Sequence, residues 1–250
     1  MRRAIELLSR GVVIKRRLPA SYGGSPLFVT PECGLRYWVN ATGDQGLLRN
    51  AAELIRPGAV VWDVGANQGV FTFAASGLAG PSGAVYAFEP DTFLVALLRR
   101  SSKLNREGAP VEVVPCAASD ALAFARFRIA ARARAANSLE DVVGSSQMGG
   151  VRETQTVMTV PLDWCLDQGF RPPHVLKIDA EGAELHILRG ATKLISTVRP
   201  AILIETTTAN VSGVTKVLLD AGYTLLDSDA AANRRTPLPA VTWNTLALPS

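Results

Sequence analysis

Histidine and cysteine are scarce, at two and three residues in a chain of 250. Cys33, Cys116 and Cys165 stand far apart, which excludes both a disulfide framework and the paired spacing of a zinc site. Each reads as a small buried hydrophobe, and a reducing, cytoplasmic setting is expected. His174 follows Pro172-Pro173 just before a strand, and His186 lies one step off a helix's apolar face, so surface roles are expected for both. An excess charge of only +4 gives no support for nucleic acid as a partner. No charged residue occurs from Val64 to Phe88, but Asn67, Gln68 and the turn Gly80-Pro81-Ser82-Gly83 break that run, so no transmembrane segment is expected. The basic start of the chain, with Arg2, Arg3, Arg10, Lys15, Arg16 and Arg17, offers only Ile5-Leu7-Leu8 as an apolar piece. That is short of a signal peptide's core of roughly 7–15 residues. There is no internal repeat and no low-complexity tract.

What the chain does have is Val60-Val61-Trp62-Asp63-Val64-Gly65-Ala66-Asn67-Gln68-Gly69. The β-branched run suits a strand buried on both faces. Gly65, Asn67 and Gly69 suit a tight turn against which a ligand can lie on bare backbone. Phe71-Thr72-Phe73-Ala74-Ala75 then reads as helix. In a parallel α/β sheet, ligands bind beyond the carboxyl end of such a strand. A phosphate-binding loop is excluded, because no Lys-Ser/Thr pair follows. A dinucleotide fingerprint is disfavoured by Asn67 and Val70. A second apolar run, Ala84-Val85-Tyr86-Ala87-Phe88, ends in Glu89-Pro90, with Glu89 placed 26 residues after Asp63. A carboxylate there can accept both hydroxyls of an unphosphorylated ribose. The acids suit a cationic nucleoside such as S-adenosylmethionine, which carries a ribose diol, an ammonium and a sulfonium.

The rest of the chain alternates strand and helix. Residues 1–50 read as a lead-in, broken by Pro19, Gly23, Gly24, Pro26 and Pro31, with a strand at Leu35–Val39 and a helix from Gly46 to Ile55. Asp91 is placed to cap a helix running to about Asn105. Val111–Val114 is a third strand, and the segment after it, which includes Ala118, is where adenine-ring contacts are expected. Residues 121–160 read as a β insertion, in which Arg126, Arg128, Arg132 and Arg134 are expected on a solvated face. Val175-Leu176-Lys177-Ile178-Asp179 is a strand ending in an acid, followed by Ala180-Glu181-Gly182 and an amphipathic helix. Pro200–Glu205 is another strand ending in an acid, and the last two strands are expected to pair antiparallel at one sheet edge.

Asp179 and Glu205 are expected on neighbouring strands, with both ends open to the same place. With Glu181 they are the candidates for a base or for orienting an acceptor hydroxyl, and Lys177 is placed to pair with one of them. A divalent cation, which takes oxygen ligands, is a second use for these acids, although no residues are assigned as metal ligands. A methyl group moving from a sulfonium needs alignment, worth roughly 7–11 kcal/mol, more than a base, worth about 10²–10⁴-fold. The lack of an obvious catalytic histidine therefore does not count against an enzyme.

Three blocks together, Trp62–Gly69, Phe88-Glu89-Pro90, and Leu176–Glu184 with Leu188-Arg189-Gly190-Ala191 and Arg199-Pro200…Glu205, resemble the FkbM-type methyltransferase family. The resemblance covers roughly residues 40–206. It implies an S-adenosylmethionine-dependent enzyme that methylates oxygen on specialised metabolites, polyketides or sugars. It also implies a Rossmann-like class I α/β sandwich with a mostly parallel seven-stranded sheet, an antiparallel edge strand and helices on both faces. By the same resemblance Asp63, Gly65, Asn67 and Gly69 cradle the methionine part of the cofactor and Glu89 holds the ribose, with Ala66 and Pro90 in the same motifs. Asn67 replaces the middle glycine of the wider class, and Ala180 stands where a bulkier Val is expected. Residues 51–250 are then the methyltransferase domain, and the expected partner is a small-molecule or glycoside acceptor. An inactive cofactor-binding scaffold, and an enzyme acting on nitrogen or on a macromolecule, are the competing readings.

Overall fold

The computed structural model describes residues 10–34, 45–142 and 149–250. The expected strand at 35–39 and the apolar piece at 5–8 lie outside them. In chain order, β1 (Ile14–Arg17) and β2 (Pro26–Val29) precede α1 (Gln45–Leu54), β3 (Val60–Val64), α2 (Val70–Ala79), β4 (Ala84–Phe88), α3 (Thr92–Ser102) and β5 (Val111–Val114). β6 (Ala117–Ala118) comes just before the insertion, which holds β7 (Ala123–Ala130), β8 (Ser138–Leu139) and β9 (Val151–Val160). Then come α4 (Leu162–Asp167), β10 (Val175–Ile178), α5 (Glu184–Arg189), β11 (Ala201–Glu205), α6 (Val211–Asp220), β12 (Tyr223–Asp227) and β13 (Asn244–Pro249).

Seven strands form the central sheet in the order β12-β13-β11-β10-β3-β4-β5. From β11 to β5 the pairing is parallel, as the uninterrupted apolar runs require of strands covered on both faces. The antiparallel strand is not at the edge. β13 runs antiparallel to both β11 and β12 and lies between them, so the edge strand β12 is parallel to the rest.

Period-two alternation divides the core. Val61, Val85, Ala87, Val175 and Leu203 face α1, α2 and α3. Val60, Trp62, Val64, Phe88, Leu176 and Ile204 face α4, α5 and α6. From its hairpin onward the lead-in is part of the core. β1 and β2 pair antiparallel, and Leu18, Leu27 and Val29 are buried in the first of these layers. The insertion, with β6, forms a separate four-stranded sheet, β6-β9-β7-β8, with Phe127, Ile129 and Val157 inside. Asp91 caps α3 as expected, accepting the Phe93 N–H at 2.9 Å.

Candidate functional site

A cavity of about 260 Å³ opens at the carboxyl ends of β3, β4, β10 and β11. The loop from β3 to α2 forms one wall, and its shape follows from its residues. Gly65 has φ +74°, and a Cβ there would stand 1.9 Å from the Asp179 carbonyl oxygen, so only glycine lets the loop touch the end of β10. Asn67 also takes a left-handed conformation, φ 53°, which asparagine tolerates better than other side chains. The Gly65 and Ala66 N–H groups both donate to Phe88 O, at 3.1 and 3.0 Å, which fixes the loop to β4.

Glu89 is buried at the end of β4. Its Oε2 accepts the Asn67 N–H at 2.7 Å and its Oε1 accepts the Asp91 N–H at 2.9 Å. Each oxygen keeps a lone pair for a ligand. Burial pushes its carboxyl up to about 8.

On the opposite side, β10 and β3 place Lys177 directly across from Asp63. Lys177 Nζ stands 3.1 Å from Asp63 and 3.4 Å from Asp179, and it donates to Gly65 O at 2.8 Å. Burial alone would lower the Lys177 amine, but Asp63 and Asp179 outweigh it and hold the ammonium charged. Lys177 is thus a strut for the glycine loop, placed between two carboxylates. Glu181 lies in the turn after β10, where burial, with Asp179 and Glu184 beside it, raises its carboxyl to about 7. Glu184 itself is buried and accepts from Gly182 N, Thr207 Oγ1 and Asn210 Nδ2, which pins this turn to the start of α6.

Ten of the twelve expected site residues line the cavity: Gly65, Ala66, Asn67, Glu89, Pro90, Ala118, Lys177, Asp179, Glu181 and Glu205. Asp63 and Gly69 do not. Asp63 is fully buried beneath the loop, accepting Thr72 Oγ1 at 2.5 Å and pairing with Lys177. Gly69 starts α2 at φ +91°, with room for no Cβ between Phe73 and Leu98. Both shape the loop from behind. Neither histidine is at the cavity. His174 Nδ1 accepts the Val60 N–H at 3.0 Å, and His186 pairs with Asp120 at the surface.

Several walls carry no motif. Cys33 comes from the lead-in, and Arg134, Asn137, Ser138 and Leu139 come from the insertion. Arg134 is buried, not solvated. It ion-pairs with Asp91 and, at 3.2 Å, with Glu32, and its guanidinium lies 4.5 Å over the Phe93 ring. Asp91 is thereby cap, ion-pair partner and acceptor of the Asn137 amide at once. Among the described residues, two that line the cavity hold a buried polar atom without a hydrogen-bond partner, Gln68 Nε2 and Ser138 Oγ. Thr30 N–H donates to Gln68 Oε1 at 2.9 Å, which leaves Nε2 as the open end. These open groups, the bare glycine backbone and the Glu89 carboxylate suit a ligand with a ribose and further polar groups. A smaller cavity of about 40 Å³ shares Leu47, Lys177, Asp179 and Glu205 with the first and extends to Asn50, Asp229 and Asn244. Among the described residues, no group of three or more His, Cys, Asp or Glu side chains is placed to hold a metal ion, and no helix is long and apolar enough to cross a membrane.

Residues 63–225 match the methyltransferase FkbM domain. The hexuronic acid methyltransferase AglP of Haloferax volcanii is 30% identical over 72% of this chain and 69% of its own length. The 31-O-demethyl-FK506 methyltransferase FkbM of Streptomyces tacrolimicus is 33% identical over 59% of this chain and 64% of its own. The crystal structure of methyltransferase FkbM from Methylobacillus flagellatus is a distant likeness, with 18% identity, coverage of 81% of this chain and 52% of that one, and a TM-score of 0.46. The family match runs from the last residues of β3 into β12, across the strands whose ends form the cavity, and on it the chain belongs to the FkbM family and is an S-adenosylmethionine-dependent methyltransferase.

Proposed function

We propose that the protein methylates a hydroxyl oxygen on a small molecule, sugar or glycoside. The observation that carries this reading is the meeting of Asp179, Glu181 and Glu205 in the same cavity as the glycine loop and Glu89. The first set serves the acceptor and the second the cofactor. Glu89 takes the ribose hydroxyls, and the Gly65–Asn67 backbone, stiffened from below by Lys177 and Asp63, bears the amino-acid half. When bound, S-adenosylmethionine supplies an electrophilic methyl group on a sulfonium. Glu181, with its carboxyl near 7, is placed to take the proton from the acceptor hydroxyl, whose oxygen would receive the methyl group as the carbon–sulfur bond breaks and the sulfonium leaves as a neutral thioether. Asp179, held by Lys177, orients that hydroxyl. Asp229 and Asn244 in the smaller cavity offer further hydrogen-bonding groups to an acceptor rich in hydroxyls.

The acidic rim also favours a neutral acceptor oxygen over a carboxylate, by like-charge repulsion. One relative is named for a hexuronic acid and another for an O-demethyl form of FK506, and these offer the two alternatives. The test is transfer of labelled methyl from S-adenosylmethionine to a panel of hexoses, hexuronic acids and macrolide alcohols. A base-stable methyl ether is the expected product. A base-labile methyl ester, or no transfer to any hydroxylated acceptor, would contradict the reading.

A further inference from the structure

We propose that Ser138 is a direct contact of the nucleoside half of the cofactor, so that the β insertion completes the cofactor's cavity. The inference rests on the reading of Glu89 as the ribose acid. Ser138 is buried on β8, lines the cavity and has, among the described residues, no hydrogen-bond partner for its hydroxyl. Such a group is costly in a packed protein unless a ligand satisfies it. Its position along the cavity is fixed by its neighbour. Asn137 Oδ1 accepts the Ala130 N–H at 2.9 Å, and its Nδ2 donates to Asp91 Oδ2 at 2.9 Å. Asp91 in turn donates its own N–H to Glu89 Oε1. Arg134 clamps the same Asp91 carboxylate from the start of this turn. Two residues just before β8, Asn137 and Arg134, therefore tie it to the Glu89–Asp91 turn, the ribose side, while the acceptor acids belong to β11 and the turn after β10. The adjacent walls are apolar, Leu139 paired with Phe127, which suits a flat base. A hydroxyl both donates and accepts, which matches the mixed edge of a purine or a ribose oxygen.

The test is the variant Ser138→Ala in the full chain, titrated calorimetrically with S-adenosylhomocysteine and with 5′-methylthioadenosine, which lacks the amino-acid half. Thermal unfolding is measured without ligand. The expected result is a Kd raised about three- to tenfold for both ligands, with a ligand-free Tm equal to or above that of the parent, because the variant removes an unsatisfied buried hydroxyl. A structural role would lower the ligand-free Tm and overturn the assignment. Unchanged affinity for both ligands would overturn it too, and so would a loss seen with S-adenosylhomocysteine alone, since the contact would then lie at the amino-acid end. If the parent protein bound neither ligand, the ribose reading of Glu89 would fail as well, an outcome distinct from normal parent binding with an unaffected variant.

Discussion

Glu89 shows how a residue's role arises from its neighbours. Its place at the end of an apolar strand, followed by proline, was readable from the sequence. Its two backbone donors and its carboxyl near 8 were not, because they depend on how the β3–α2 loop folds back over β4. Hydrogen bonds to a charged group are worth about 1.5–3 kcal/mol, so Glu89→Ala is expected to weaken S-adenosylhomocysteine binding at least about tenfold. Unchanged affinity would remove the ribose role from Glu89. The sign of the pH dependence follows from the raised carboxyl. Below about 8 the ligand-free protein holds this group protonated, so the affinity of the parent should rise with pH through that value. A Glu89→Gln variant should lose this dependence in the same titrations. Glu181 gives a second case. As the base it must be ionised, so turnover at saturating cofactor should rise through about pH 7. Glu181→Gln is expected to lower kcat by about a hundredfold or more and to flatten that rise. A variant with full turnover and the parent's pH profile would make Glu181 a wall residue only.

At the scale of elements, Arg134 joins three parts of the chain that the sequence presents as unrelated. Its partners Glu32 and Asp91 lie 102 and 43 residues away, and Arg152 of β9 also pairs with Glu32, at 2.6 Å. In the sequence Arg134 continues a series of arginines that alternate with apolar residues, the pattern of a solvated strand face. Nothing local distinguishes it from Arg126, which is exposed. The Asp91 cap, by contrast, was legible because its partner is two residues away. Removing one member of a buried ion pair strands the others, at a cost of about 3–5 kcal/mol. Arg134→Met is expected to lose stability of that order in urea unfolding, and a loss below about 0.5 kcal/mol would show that the cluster does not hold the insertion to the lead-in. Burial pushes the Glu32 carboxyl up, but the Gly11 N–H, Arg152 and Arg134 hold it below its ordinary 4.5. Its contribution to stability is therefore present above pH 4.5 and is lost as the pH falls through its lowered folded value.

At the scale of the whole molecule, the parallel core was legible because strands covered on both faces must be apolar throughout, and β3, β4, β10 and β11 are nearly so. Lys177 and Asp63 break that rule only as a pair, in register across β10 and β3. The order of the last two strands was not legible. Insertion of β13 between β11 and β12 depends on which edge accepts it, and the apolar pattern of β13 is the same in either arrangement. The lead-in merged with the core for a similar reason. Lys15, Arg16 and Arg17 mark β1 as basic, while the burial comes from Leu18, Leu27 and Val29 around them. A single cavity therefore gathers residues from the lead-in, the sheet and the insertion. Its occupation by S-adenosylmethionine is the claim on which the chemistry depends. Calorimetric titration of the full chain with S-adenosylhomocysteine, with NAD as the control, tests it most directly. Saturable binding of the first at micromolar levels, with no heat from NAD, is the predicted result. The absence of S-adenosylhomocysteine binding, or saturable binding of NAD in its place, would contradict it.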